Sequence, residues 1–109
     1  MNPEDDERSE LDRFDISTAD AKWWETAEDH RFALEVLQLR LRRSILKFLG
    51  REGHIRTVED IEKEFNLNSN QAMYHLAMLE KGLVIEQVVG GYKATATGML
   101  YLEKVEGRR

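Results

Sequence analysis

Four polar side chains, Ser69, Asn70, Gln71 and Tyr74, fall within one short stretch of the chain. An Asn or Gln amide carries a donor and an acceptor side by side, the arrangement that pairs bidentately with N6 and N7 of adenine. A serine hydroxyl bonds to either kind of partner, and a tyrosine can reach a phosphate oxygen or a thymine methyl. The chemistry on offer is recognition of base edges. Five cations, Arg42, Arg43, Arg56, Lys81 and Lys93, could add contacts to phosphate. Phosphate neutralisation supplies most of the affinity for a duplex, yet of these five only Lys81 lies in the same segment as the polar four.

No other constellation competes. There is no nucleophile–base pair, no glycine-rich phosphate loop and no HExxH, so no enzyme activity is expected. Glu59, Asp60, Glu62 and Glu64 crowd one short segment and read as a solvated face. The chain has no cysteine, which excludes disulfides and thiolate metal sites and makes the cytoplasm the expected location. His30, His54 and His75 are scattered, so neither a metal nor another cofactor is expected. No run of about 18 apolar residues is present to cross a membrane, and the acidic MNPEDDERSE stretch does not read as a signal peptide.

The elements that must position the polar four can be read from the spacing of apolar residues and from the residues that end helices. Projected at helical pitch, residues 69–81 place Ala72, His75, Leu76 and Leu79 on one face, which must be the core. Asn70, Tyr74, Ala77 and Lys81 fall opposite, flanked by Gln71 and Met78. Asn68 or Ser69 caps this helix and Gly82 closes it. Before it, Thr57 caps a helix over Val58–Phe65, with Asp60 placed for a capping box. Asn66 suits the left-handed conformation that a tight turn between the two helices requires.

Upstream, Leu34, Leu37, Leu41, Ile45, Phe48 and Leu49 form an apolar stripe, while Arg40, Arg43, Lys47 and Arg51 recur on another face. Phe32, Val36, Leu39 and Leu46 lie outside the stripe. Either the region has a second contact surface or it breaks into two helices near Leu37–Leu41, although no Pro or Gly marks such a break. The region is expected to start near Ser17–Asp20, capped by Ser17, Thr18 or Asp20, and to end at Gly50 and Gly53. His54-Ile55-Arg56 reads as a short extended piece. Leu83–Val89 reads as a strand, Gly90-Gly91 as a two-residue hairpin signal and Tyr92–Thr95 as the return strand. Thr97 is expected to cap a last short helix containing Met99, Leu100, Leu102 and Val105.

At 109 residues the chain reads as one domain, residues 19–109, behind an acidic leader, residues 1–18. The net charge of −5 hides an asymmetry. Residues 1–30 hold 3 Lys/Arg against 11 Asp/Glu, a balance of −8, whereas residues 31–109 hold 13 against 10, a balance of +3. The leader reads as a solvated tail. Its charge also fits a mimic of DNA phosphate or an acidic docking arm.

Helix, short extended piece, helix, turn, helix, hairpin is the order of a winged helix-turn-helix. The fold class is therefore mainly α with a small β-hairpin and an N-terminal helical extension. The chain over about Leu37–Val105 resembles the ArsR-like and MarR-like winged-helix transcription regulators. Four pieces carry the resemblance: Leu41–Leu49, with its arginines; Ala72–Val84, with its His-Leu pair and terminal Gly-Leu-Val; Val88–Lys93 as the wing; and Ala96-Thr97-Gly98 leading to the last helix. Two positions depart from the common pattern. Glu62 stands where a small residue is usual, and Asn66 where glycine is. A charge at Glu62 must find the surface or a partner.

The resemblance implies a DNA-binding regulator that reads the major groove of double-stranded DNA with helix 69–81. It also implies a homodimer, for which Trp23 and Trp24 are contact candidates because tryptophan anchors interfaces; one of these adjacent indoles could instead face the core. His75 is expected to pack beside the core. No particular small-molecule effector is legible. The alternative is a winged-helix module for protein–protein interaction without DNA binding, favoured by the sparse charge on helix 69–81, by Glu62 and by the acidic leader.

Overall fold

The computed structural model describes residues 24–51 and 54–106. It is mainly helical, with one two-stranded antiparallel hairpin, an order compatible with a winged helix. Helix α1 spans Ala27–Val36, α2 Arg40–Gly50, α3 Val58–Phe65 and α4 Ser69–Lys81. Strands β1 (Ile85–Val88) and β2 (Gly91–Ala94) follow, then α5 (Ala96–Tyr101) and a π-helical turn over Leu102–Glu106. The leader, the proposed caps Ser17, Thr18 and Asp20, and Trp23 and Gly53 lie outside the described residues. Thr26 caps α1, its hydroxyl accepting from the Asp29 amide at 3.0 Å.

The upstream helical region breaks at Leu37–Leu39, and Arg43 is the physical reason that no Pro or Gly is needed. Its Nη1 donates to the carbonyls of Leu37 at 2.8 Å and Gln38 at 2.9 Å, so the next helix satisfies the carbonyl end of the previous one. The break resets the helical phase. Leu34, which an unbroken stripe would bury, is 44% exposed, whereas Val36 and Leu46, outside that stripe, are buried.

Helices α3 and α4 are joined by Asn66-Leu67-Asn68. Both open with complete capping boxes. In the first, the Thr57 hydroxyl accepts from the Asp60 amide at 3.1 Å and Asp60 accepts from the Thr57 amide at 2.9 Å. In the second, Asn68 accepts from the Gln71 amide at 2.8 Å and Gln71 Oε1 accepts from the Asn68 amide at 3.0 Å. Asn66 takes the left-handed conformation, φ 55°, ψ 53°. Glu62 is half-buried. At the end of α4 the left-handed residue is Leu83, φ 66°, and not Gly82, which stays right-handed.

The core gathers Ile45, Leu46 and Leu49 from α2, Ile61 from α3, Ala72, Leu76 and Leu79 from α4, and Val84, Ile85 and Tyr92 from the hairpin. Removing one such fully buried leucine side chain costs about 2–5 kcal/mol, against about 1 kcal/mol for a helix cap. The buried face of α4 therefore fixes which way its outer face points, and the cap adjusts only its first turn.

The hairpin pairs Ile85 with Ala94 and Val88 with Gly91, which makes Val89-Gly90 its two turn residues, one position earlier than Gly90-Gly91. Gly91 belongs to the strand because Arg56 bridges Tyr92 there. A Cβ at Gly91 would meet the Arg56 carbonyl, its carbon at 2.8 Å, so only glycine lets the third backbone approach. Thr95, not Thr97, caps α5. Its fully buried hydroxyl accepts from the Gly98 amide at 3.0 Å and donates to the Leu83 carbonyl at 2.7 Å. That second bond ties the cap to the end of α4, a demand that Thr97 does not meet from its place inside the helix.

Candidate nucleic-acid interface

Helix α4 presents Ser69, Asn70, Gln71, Met73, Tyr74, Ala77 and Lys81 to solvent, and Ala72, Leu76 and Leu79 to the core. Ser69 and Asn70 sit on its exposed first turn, and no side-chain hydrogen bond holds Asn70 among the described residues. Gln71 is different. Its Oε1 is assigned by the need of the Asn68 amide for an acceptor, and it is held in the capping box. Bidentate pairing with adenine needs that same oxygen to accept from N6. Asn70 can read a base at no structural cost, whereas Gln71 must first give up its cap contact.

Tyr74 is 56% exposed, with one side of its ring engaged. The Arg42 guanidinium lies 5.4 Å from its centroid, and the His75 ring meets it tilted by 63° at 5.4 Å. His75 is half-buried beside the core. Burial, and then the neighbouring Arg42 charge, push its pKa below the usual histidine value. The ring is therefore neutral at pH 7, with Nδ1 accepting from Arg42 Nε at 3.1 Å and the proton on Nε2.

The cations separate into two groups. Arg42 was expected to reach phosphate, but only 6% of it is exposed and its donors turn inward to His75 and, at 3.5 Å, to the Val36 carbonyl. It is an internal residue, and the phosphate role does not stand for it. Arg43 is half-buried and occupied at the end of α1. Lys81 and Lys93 are exposed, and Arg56, like Arg43, is half-buried. The Arg56 guanidinium stacks 4.6 Å above the Phe48 ring, with its buried Nε lacking a hydrogen-bond partner. Its backbone amide and carbonyl are both paired with Tyr92, which puts Arg56 on the face of buried Tyr92, while Lys93, the next residue on the strand, lies on the opposite face. Lys93 is exposed and stands opposite Glu86 in the ladder. Lys81 closes the far end of α4, roughly 18 Å along the axis from Ser69.

Reading along the chain missed two residues at this surface. Exposed Arg51 lies over the same Phe48 ring as Arg56, at 5.8 Å, and Met73 is 53% exposed beside Tyr74. The helical projection could have flagged Met73. Nothing local could have paired Arg51 with Arg56 across the intervening loop. Trp24, a candidate for a dimer contact, also makes contacts within its own chain. It packs half-buried on the core and donates from Nε1 to the Gly82 carbonyl at 2.7 Å.

Among the described residues no group of three or more His, Cys, Asp or Glu stands close enough to hold a metal, and no helix is long and apolar enough to cross a membrane. No protein-family model, curated protein or solved structure matches the chain.

Proposed function

We propose that this chain is a winged helix-turn-helix transcription regulator that binds double-stranded DNA and reads the major groove with α4. The observation that carries this reading is the two-sidedness of α4. Its buried Ala72, Leu76 and Leu79 anchor it, while Ser69, Asn70 and Tyr74 project from the opposite side toward its N-terminal end. In helix-turn-helix proteins that end reaches the base edges. The hairpin after α4 acts as the wing. Lys93 on its second strand, Arg56 on the segment bridged to Tyr92, and Lys81 on α4 supply the phosphate contacts.

The regulator acts as a homodimer, which sets two copies of α4 about one turn of DNA apart. Exposed Leu34 on α1 and Leu39 in the break between α1 and α2 support this, since Trp24 is engaged within its own chain. Sedimentation as a monomer at high micromolar concentration would remove the dimer from the proposal.

A second reading keeps the fold and replaces DNA by a protein partner. Exposed Met73 and Tyr74 on α4, and the burial of Arg42, favour it. Selection from a random duplex pool, followed by titration at low salt with and without residues 1–18, separates the two. A regulator enriches a defined sequence and loses affinity steeply with salt. No binding at low salt, even after the leader is removed, sinks the DNA reading and favours the protein partner.

A further inference from the structure

We propose that Arg42 and His75 are positioning residues that hold Tyr74 in one orientation on the outer face of α4. The idea rests on the reading of that face as the one that contacts DNA. Arg42 is a charged residue beneath the surface with no carboxylate paired to it among the described residues. Such a charge is costly to bury, and an apolar side chain of similar length could fill the same space without that cost. Its compensation is unusual. Among the described residues, apart from a marginal 3.5 Å contact to the Val36 carbonyl, the guanidinium has a neutral imidazole nitrogen at 3.1 Å and the face of Tyr74 at 5.4 Å.

Three side chains thus close a triangle. Arg42 reaches from α2 to both others, and Tyr74 and His75, neighbours on α4, meet ring to ring. Only Tyr74 projects far into solvent. An exposed tyrosine on a helix ordinarily samples more than one rotamer and loses that freedom when it makes a contact. Here the loss is incurred on folding. The pair reaches no ligand itself and acts only through the ring it holds.

The test reads the Tyr74 side chain directly, with ring and χ1 NMR measurements on tyrosine-labelled full chain, assigned with Tyr74→Phe. The wild-type ring is expected in a single rotamer, and a wild-type ring that averages among rotamers overturns the proposal. Arg42→Met keeps the stem and removes the charge. His75→Phe keeps the ring edge and removes the acceptor. In whichever variant retains a cooperative thermal transition, Tyr74 should average among rotamers, and a ring that stays fixed overturns the proposal. These readouts need no DNA, so they stand even if the chain proves not to bind a duplex. If it does bind, Arg42→Met should weaken the selected duplex about tenfold and add nothing in a Tyr74→Ala background. Independent, additive losses would also overturn it.

Discussion

Trp24 and Gly82 are 58 positions apart, yet the indole Nε1 donates to the glycine carbonyl at 2.7 Å. This bond ties the chain just before α1 to the end of α4. It satisfies a carbonyl at a helix terminus, where no further helical amide can reach it.

Trp24→Phe should therefore lower stability by about 1 kcal/mol, the net worth of one such hydrogen bond. Trp24→Ala, which also strips half-buried ring surface, should cost roughly 2–3 kcal/mol. Urea denaturation checks both. If the chain forms the proposed homodimer, its dimerisation constant should be unchanged in Trp24→Phe, because the indole nitrogen is engaged within its own chain.

The two hairpin glycines should respond differently to alanine. Gly90, φ 97°, has open space around its missing Cβ, with only Ile55 Cγ2 at 3.8 Å. Gly90→Ala bears backbone strain alone and should cost about 1 kcal/mol. At Gly91, φ 147°, the added carbon also collides with the Arg56 carbonyl. Gly91→Ala should cost more than about 2 kcal/mol and break the Arg56–Tyr92 bridge. Amide exchange at Arg56 and Tyr92 reports the loss.

His75 makes stability fall on mild acidification. Its folded-state pKa is lowered, chiefly by burial, so the unfolded chain binds the proton first. The stabilising contribution is complete above the unfolded value of about 6.5 and is lost as pH falls from there through the folded value. Thermal midpoints between pH 7 and 5 should drop, and His75→Gln should flatten that part of the curve. Asp60, whose pKa is lowered mainly by the Thr57 backbone amide, acts in a separate window below about 4. A slope between pH 7 and 5 that survives His75→Gln contradicts this assignment.

Asn70 and Gln71 should split into a reader and a cap. Asn70→Ala should leave stability within about 0.5 kcal/mol of wild type while costing about 1–3 kcal/mol of discrimination at one base position. Gln71→Ala should lower stability by roughly 0.5–1 kcal/mol through loss of the capping box. Denaturation and duplex selection on the same two variants decide between them.

The cations should separate in the salt dependence of duplex binding. Lys81→Ala and Lys93→Ala should each reduce the slope by about one and weaken all sequences alike. Arg42→Met should leave the slope unchanged, because that charge is buried. A slope reduced by Arg42→Met and untouched by Lys93→Ala would reverse the assignment of interior and surface cations.

What the sequence by itself determined are the features encoded within a turn or so of chain. The Thr57–Asp60 box, a cap at Asn68 or Ser69, the left-handed Asn66 and the inward face Ala72, His75, Leu76 and Leu79 are of this kind. Each depends on residues three or four apart, whose relation helical geometry alone imposes. Tertiary structure decided the rest. Whether Arg42 is a surface cation or an internal one depends on where His75, 33 positions away, is carried. Whether Thr95 or Thr97 caps α5 depends on the Leu83 carbonyl, and whether Val89-Gly90 or Gly90-Gly91 turns the hairpin depends on the backbone of Arg56. Those partners come together only when the core closes, so no local pattern could distinguish an arginine that meets phosphate from one that holds a tyrosine.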